Sequence, residues 1–251
     1  MKLLIKISSL MLWCLIFQLA SCDWMPGYPK KSDVWQPSSA NLDFDSLFKI
    51  NCLACHSDGS NLAASMPLAD PTYAKWVPAE VLHDVISNGR PGTPMPAFSK
   101  PQGGNLTDEQ IDILVKGIKS RGEPLQLAED IPPYFSPTLG DVAQGKKVFT
   151  VYCAKCHAQD DSDEPEPDSF IHPAYLSLTT DQYIRGIIVV GHPELGMKPL
   201  GKRIKGKAIS DKEIADIIAW IDTFRPSSNP AKLNPELPAT NETGTNQPIY
   251  E

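Results

Sequence analysis

The chain is poor in long apolar runs, in basic charge, in β-strand pattern and in cysteine. Its most apolar stretch, Leu10 to Leu19, is ten residues long, about half of what a bilayer-spanning helix needs. Lys and Arg number 23 against 30 Asp and Glu, a formal charge of −7, which argues against a nucleic-acid role. The acidic balance also gives no reason to expect attraction to anionic lipid. Strand-like alternation is scarce; Ile187-Ile188-Val189-Val190 is the exception, and its repeat partner, which includes Val85-Ile86, argues for helix. Only six cysteines occur, which leaves little material for a disulfide framework. Proline, by contrast, is abundant at 24 residues, favouring loops and extended linkers over long regular elements.

The N-terminus reads as a targeting segment. Lys2 and Lys6 form a short basic region, the apolar run follows, and Leu19-Ala20-Ser21-Cys22 looks like a bacterial lipobox. Residues 1–21 are then a lipoprotein signal peptide, and Cys22 is the lipidation site, with Asp23 resembling an inner-membrane retention signal. Several acyl chains on one residue hold a protein on a membrane far better than one. Residues 22–42, rich in Pro and Ser, read as the anchored tether. Residues 123–140 carry four prolines and no helical period and read as an interdomain linker; residues 226–251 read as a disordered tail. Export removes Cys14 and lipid takes Cys22, so four cysteines remain: Cys52, Cys55, Cys153 and Cys156.

Sliding the chain against itself reveals a repeat. Phe48, Cys52 and His56 match Phe149, Cys153 and His157 at an offset of 101 residues. Gly89, Pro91 and Met95 match Gly191, Pro193 and Met197 at 102, and Leu106-Thr107-Asp108 matches Ile209-Ser210-Asp211 at 103. The unit is a duplicated domain, at residues 43–122 and 141–225. Each copy reads as helical. A short amphipathic segment precedes each cysteine pair, and each copy closes on a capped helix, Thr107 with Gln110 and Ser210 with Glu213 having capping-box spacing. Ile111, Leu114, Val115 and Ile118, then Ile214, Ile217, Ile218 and Ile221, supply the apolar faces.

Cys52-Leu53-Ala54-Cys55-His56 and Cys153-Ala154-Lys155-Cys156-His157 are both CxxCH. This spacing lets two thiols add across two haem vinyl groups while the adjacent imidazole reaches the iron from the same side. A four-cysteine zinc site, two dithiol redox sites or structural thiols are the alternatives. Zinc would not need a His after each pair, and dithiols would not explain the downstream Met repeat.

With the repeat around them, these motifs resemble the small globular cytochromes c, over residues 43–122 and 141–225. The resemblance implies an all-α fold of two tandem domains, each around one covalently attached haem c. It also implies a first helix leading into CxxCH, a Pro-containing loop presenting a Met to the iron, and a last helix crossing the first. Proximal ligands are then His56 and His157. The sixth ligands are Met95, in Gly92-Thr93-Pro94-Met95-Pro96, and Met197, in Gly196-Met197-Lys198-Pro199. His192, five residues before Met197, is the rival ligand in the second copy, but it matches Arg90 in the first. Gly145, Phe149 and Trp220 stand where the family has its helix-crossing residues. The first copy has Phe44 in place of Gly145 and Gly117 in place of Trp220, so its crossing is expected to be looser or differently packed.

The implied role is electron transfer without catalysis, by a lipid-anchored carrier outside the cytoplasmic membrane, in the periplasm or on the membrane's outer side. It acts as a shuttle or as a subunit of a respiratory or photosynthetic complex. The implied partners are a quinol-oxidising complex, a dehydrogenase or a terminal oxidase. Dihaem thiosulfate dehydrogenases, dihaem peroxidases and haem-based sensors are the other readings; the first needs a Cys ligand that this chain cannot spare. An acidic run from Asp160 to Asp168 and a basic run from Lys198 to Lys207 flank the second motif and suit charge-steered docking.

Overall fold

The computed structural model describes residues 37–57, 65–157, 169–200 and 208–226. The signal peptide and Cys22, most of the tail, the acidic run and all of the basic run except Lys198 lie outside these. The chain divides into two compact units, residues 1–40 and 41–251. The second unit holds both repeats. Among the described residues its regular structure is helical, with isolated bridges only, and no helix is long and apolar enough to cross a membrane.

The first repeat comprises α1 (Phe44–Asn51), α2 (Leu53–His56), α3 (Pro71–Trp76), α4 (Ala79–Asn88) and α5 (Asp108–Ser120). The second comprises α6 (Val142–Tyr152), α7 (Pro173–Leu176), α8 (Asp181–Val190) and α9 (Asp211–Asp222). Local chemistry sets the helix starts: Asp43 and Asp141 accept the backbone N–H of Ser46 and Gln144, each at 2.8 Å. Both expected capping boxes form, at Thr107 with Gln110 and at Ser210 with Glu213. The apolar run at 187–190 ends helix α8, as its repeat partner implied.

In each repeat the last helix crosses the first, and the two crossings exchange their large and small residues. In the second, α6 offers Gly145; a Cβ there would overlap the backbone of Asp216 and crowd Trp220, so α9 approaches backbone to backbone. Trp220 then packs tilted against Phe149, with 4.6 Å between centroids. In the first, the aromatic Phe44 lies on α1 and the glycine, Gly117, on α5; a Cβ on Gly117 would overlap the Phe44 ring. Volume across the crossing is conserved although each position is inverted, as close packing demands. Arg121 covers the outer side, its guanidinium 4.4 Å from the Phe48 centroid. The first crossing is thus differently packed, and its two helices make fewer close approaches than those of the second.

Residues 123–140 pack between the repeats. Trp76 Nε1 donates to the Pro132 carbonyl at 2.7 Å, and the Trp76 ring lies 4.8 Å from Tyr134, which is 7% exposed. From the other side Arg185 Nε donates to the carbonyls of Pro133 and Tyr134, each at 3.0 Å. Arg185 is also ion-paired with Asp211, which accepts from Ser136 and Thr138 as well. Burial raises the Asp211 pKa, but these hydrogen bonds and the guanidinium outweigh it and hold the carboxyl below its usual value. The prolines offer carbonyls without N–H groups of their own, so the segment accepts from both sides without leaving donors buried and unmet.

Candidate functional site

Each CxxCH is a tight helical turn continuing from the first helix of its repeat. Cys52 N–H donates to Phe48 O and Cys153 N–H to Phe149 O, both at 2.8 Å; His56 N–H and His157 N–H close the turn onto the carbonyls of Cys52 and Cys153, both at 2.9 Å. The same backbone geometry, 101 residues apart, points two thiols and an imidazole from one turn. Cys52 is buried, Cys153 half-buried, and Cys55 and Cys156 are exposed. Burial is the chief cause that pushes the Cys52 thiol up to about 11 and the Cys153 thiol to about 12. Both are therefore neutral thiols at physiological pH. Burial also lowers the pKa of His56 and of His157, so both imidazoles are neutral, the form that ligates metal.

In the second repeat the turn opens onto a cavity of roughly 230 Å³. Cys153 and His157 line one part of it. Phe149 enters from α6, Ile217 and Ile221 from α9, and Ile184 and Ile188 from α8, while Met197 enters from the loop after α8. His192 lines it too. Phe170 packs edge-on to the His157 ring at 5.0 Å between centroids. Three of the sequence-predicted residues thus share one apolar cleft although the loop bearing Met197 follows His157 by forty residues.

The Met loops are docked on their helices in matching register. Arg90 N–H donates to Met95 O at 2.9 Å, and His192 N–H to Met197 O at 2.8 Å. Beyond each Met, Phe98 N–H reaches Ile86 O and Leu200 N–H reaches Ile188 O, both at 3.0 Å. Gly89 and Gly191, which end α4 and α8, have φ of +68° and +79°. Each is pressed on the Met-loop backbone, so a Cβ at Gly89 would stand 2.7 Å from Met95 O and one at Gly191 2.7 Å from Met197 O. The repeat alignment contained this signal, a Gly six residues before each Met, but gave it no role.

Two positioning contacts were not expected from the sequence. His56 Nδ1 donates to the Met66 carbonyl at 2.9 Å, which fixes the ring and leaves Nε2 for a ligand. His192 Nε2 lies 3.2 Å from the Ser65 carbonyl of the other repeat. His83 pairs with Asp112 at 3.5 Å, and His172 accepts from Ala174 N–H as the cap of α7, so both have structural partners. The cysteine pairs stand at separate sites. Among the described residues no three His, Cys, Asp or Glu side chains converge on a metal-ion position, which disfavours the four-cysteine zinc alternative.

A family model described as cytochrome C oxidase, cbb3-type, subunit III matches this chain twice, at residues 40–116 and 140–221. Among curated proteins, the Cbb3-type cytochrome c oxidase subunit CcoP of Azospirillum sp. (strain B510) is 34% identical over 124 residues. That alignment covers 45% of this chain and 37% of the relative's length, so the chain matches little more than a third of the curated relative. The two matched stretches take in most of the described residues, and the chain belongs to the cbb3-type subunit III family, with two tandem cytochrome c domains.

Proposed function

We propose that this member of the cbb3-type subunit III family carries electrons to a membrane-bound terminal oxidase through two covalently attached haem c groups, held at the membrane by lipid on Cys22. Cys52 with Cys55, and Cys153 with Cys156, form the thioether bonds. His56 and His157 are the proximal ligands, and Met95 and Met197 the sixth ligands.

The observation that carries this reading is the cleft shared by Cys153, His157 and Met197. Its donor set fits the group: the Cys153 thiol beside Cys156, a neutral imidazole, and a thioether on a docked loop. Its remaining walls are mostly apolar, as a porphyrin face requires. Met197 is favoured over His192 because it stands in the register of Met95, whereas His192 matches Arg90 in the first repeat. When bound, the haem supplies one-electron chemistry, and thioether ligation favours the ferrous state.

This chain's residues exclude and position. Ile184, Ile188, Ile217 and Ile221 keep water from the cleft, the His56–Met66 hydrogen bond orients one imidazole, and Phe170 packs against the other. His56 with Met95, and His157 with Met197, would leave a substrate no place on the bound group, which favours a carrier over a peroxidase. Electrons would enter from a quinol-oxidising complex or a dehydrogenase and leave to the oxidase.

Native electrophoresis of gently solubilised membranes tests the assignment. Haem stain at this chain's position is expected to co-migrate with a large assembly that has oxidase activity. Migration of all of the chain as a free small protein would leave it a diffusible shuttle and remove the subunit assignment.

A further inference from the structure

A run of hydrogen bonds joins the two candidate sites, and the carrier reading does not require it. It begins at His56, whose Nδ1 donates to the Met66 carbonyl at 2.9 Å. The Met66 amide is bonded to the carbonyl carbon of Ser65, and the Ser65 oxygen faces His192 Nε2 at 3.2 Å, across 127 residues of sequence. A carbonyl can only accept, so His192 carries a proton on Nε2. The His192 backbone is then paired twice with Met197, N–H to O at 2.8 Å and O from N–H at 3.1 Å. His192 itself is 3% exposed.

The Ser65–Met66 peptide is pinned a second time. The buried Met66 side chain lies on Gly186 of α8, so close that a Cβ there would overlap the Met66 methyl. Met66, whose carbonyl orients the ring of one proposed proximal ligand, is therefore held through its side chain by the other repeat's helix and, through the preceding peptide, by the loop carrying that repeat's proposed sixth ligand. In the first repeat Arg90 occupies the register of His192.

We propose that His192 is a positioning residue that couples the two haem sites, tying the Met197 loop of the second to the peptide adjoining the one that orients His56 at the first. The inference rests on the ligand assignment above. A hydrogen bond from Nδ1 to a carbonyl gives an imidazole anionic character, which stabilises ferric iron and lowers its potential. Releasing the Ser65–Met66 peptide loosens Met66, whose own carbonyl in the next peptide accepts from His56; that bond weakens, so the first haem's potential rises although none of its own residues has changed.

The test compares full-length holoprotein with His192→Phe, which fills the space but cannot donate, and His192→Gln, whose amide can. Each haem's midpoint potential is measured by spectropotentiometry, and the haems are told apart by the Met95 and Met197 methyl resonances of the reduced protein. The expected result is a raised potential at the Met95 haem in His192→Phe and restoration towards wild type in His192→Gln. An unchanged Met95 haem in His192→Phe, or the same shift in both variants, overturns the proposal. Should His192→Phe yield no folded holoprotein, nitrogen-15 NMR of reduced wild type decides: the Nε2–H tautomer supports the coupling and the Nδ1–H tautomer overturns it. Haem content of the same wild-type sample separates the two levels, because fewer than two haems refutes the ligand assignment instead.

Discussion

Replacing Cys153 and Cys156 together by serine will halve the covalent haem content and bring the second repeat to the edge of unfolding. The cleft below this motif measures roughly 230 Å³ and is lined by Phe149, Ile184, Ile217 and Ile221 among others. Left unfilled, its apolar walls lose the packing that a porphyrin would give them and face water instead. Small domains are stable by only about 5–15 kcal/mol in total, so loss of the group removes a large share of what holds the repeat together. The damage should spread along the strap at 123–140, because Asp211 and Asp216 of α9 accept hydrogen bonds from Ser136, Thr138 and the Asp141 N–H. The first repeat keeps its haem but loses the cover of α8 over Met66. Haem stoichiometry, thermal unfolding and limited proteolysis measure these effects. A variant that retained the wild-type melting temperature would show that the cleft does not depend on its haem.

A substitution without any change in ligands should separate haem attachment from haem ligation. Gly191→Ala places a methyl 2.6 Å from the Pro199 nitrogen, 2.7 Å from Met197 O and 2.9 Å from the Lys198 carbonyl carbon, all backbone atoms that no rotamer change can move aside. At φ +79° and ψ −174° the backbone also sits in a region that is nearly glycine's alone, where another residue costs about 1–3 kcal/mol. The cheapest relief is for the Met197 loop to lift from α8. Two haems per chain are expected to remain, with loss of about half of the far-red absorption that marks sulfur-bound ferric iron, since one of two such haems loses its thioether. The reduced variant should also bind carbon monoxide at one haem. A far-red band of full strength would mean that the loop holds its sulfur in place by other means.

The sequence carries the local features of this fold openly. Both capping boxes and the helix through Ile187–Val190 follow from short-range pattern and chemistry, and they form as read. The repeat also pointed to Met197 in register with Met95, and the cleft brings Met197 together with Cys153 and His157. What stayed hidden is what depends on pairs distant in sequence. Phe44 and Gly117 each depart from the second repeat, and only their meeting across α1 and α5 shows that one compensates the other. Residues 123–140 read as a linker because prolines erase periodicity, yet the proline carbonyls are the acceptors for Trp76 and Arg185. His192 read as a rival ligand because a histidine near a haem loop invites that reading. Its commitment to Ser65, in the other repeat, has no signature in local spacing.

The central claim is that two iron porphyrins are bound through thioethers and capped by methionine sulfur. Haem content per polypeptide by the pyridine assay, read together with the far-red band of the oxidised protein, tests it most directly. The account predicts two acid-stable haem c groups per chain and a far-red band whose strength corresponds to both. Fewer than two haems, haem that extracts into acidified acetone, or no far-red band would contradict it.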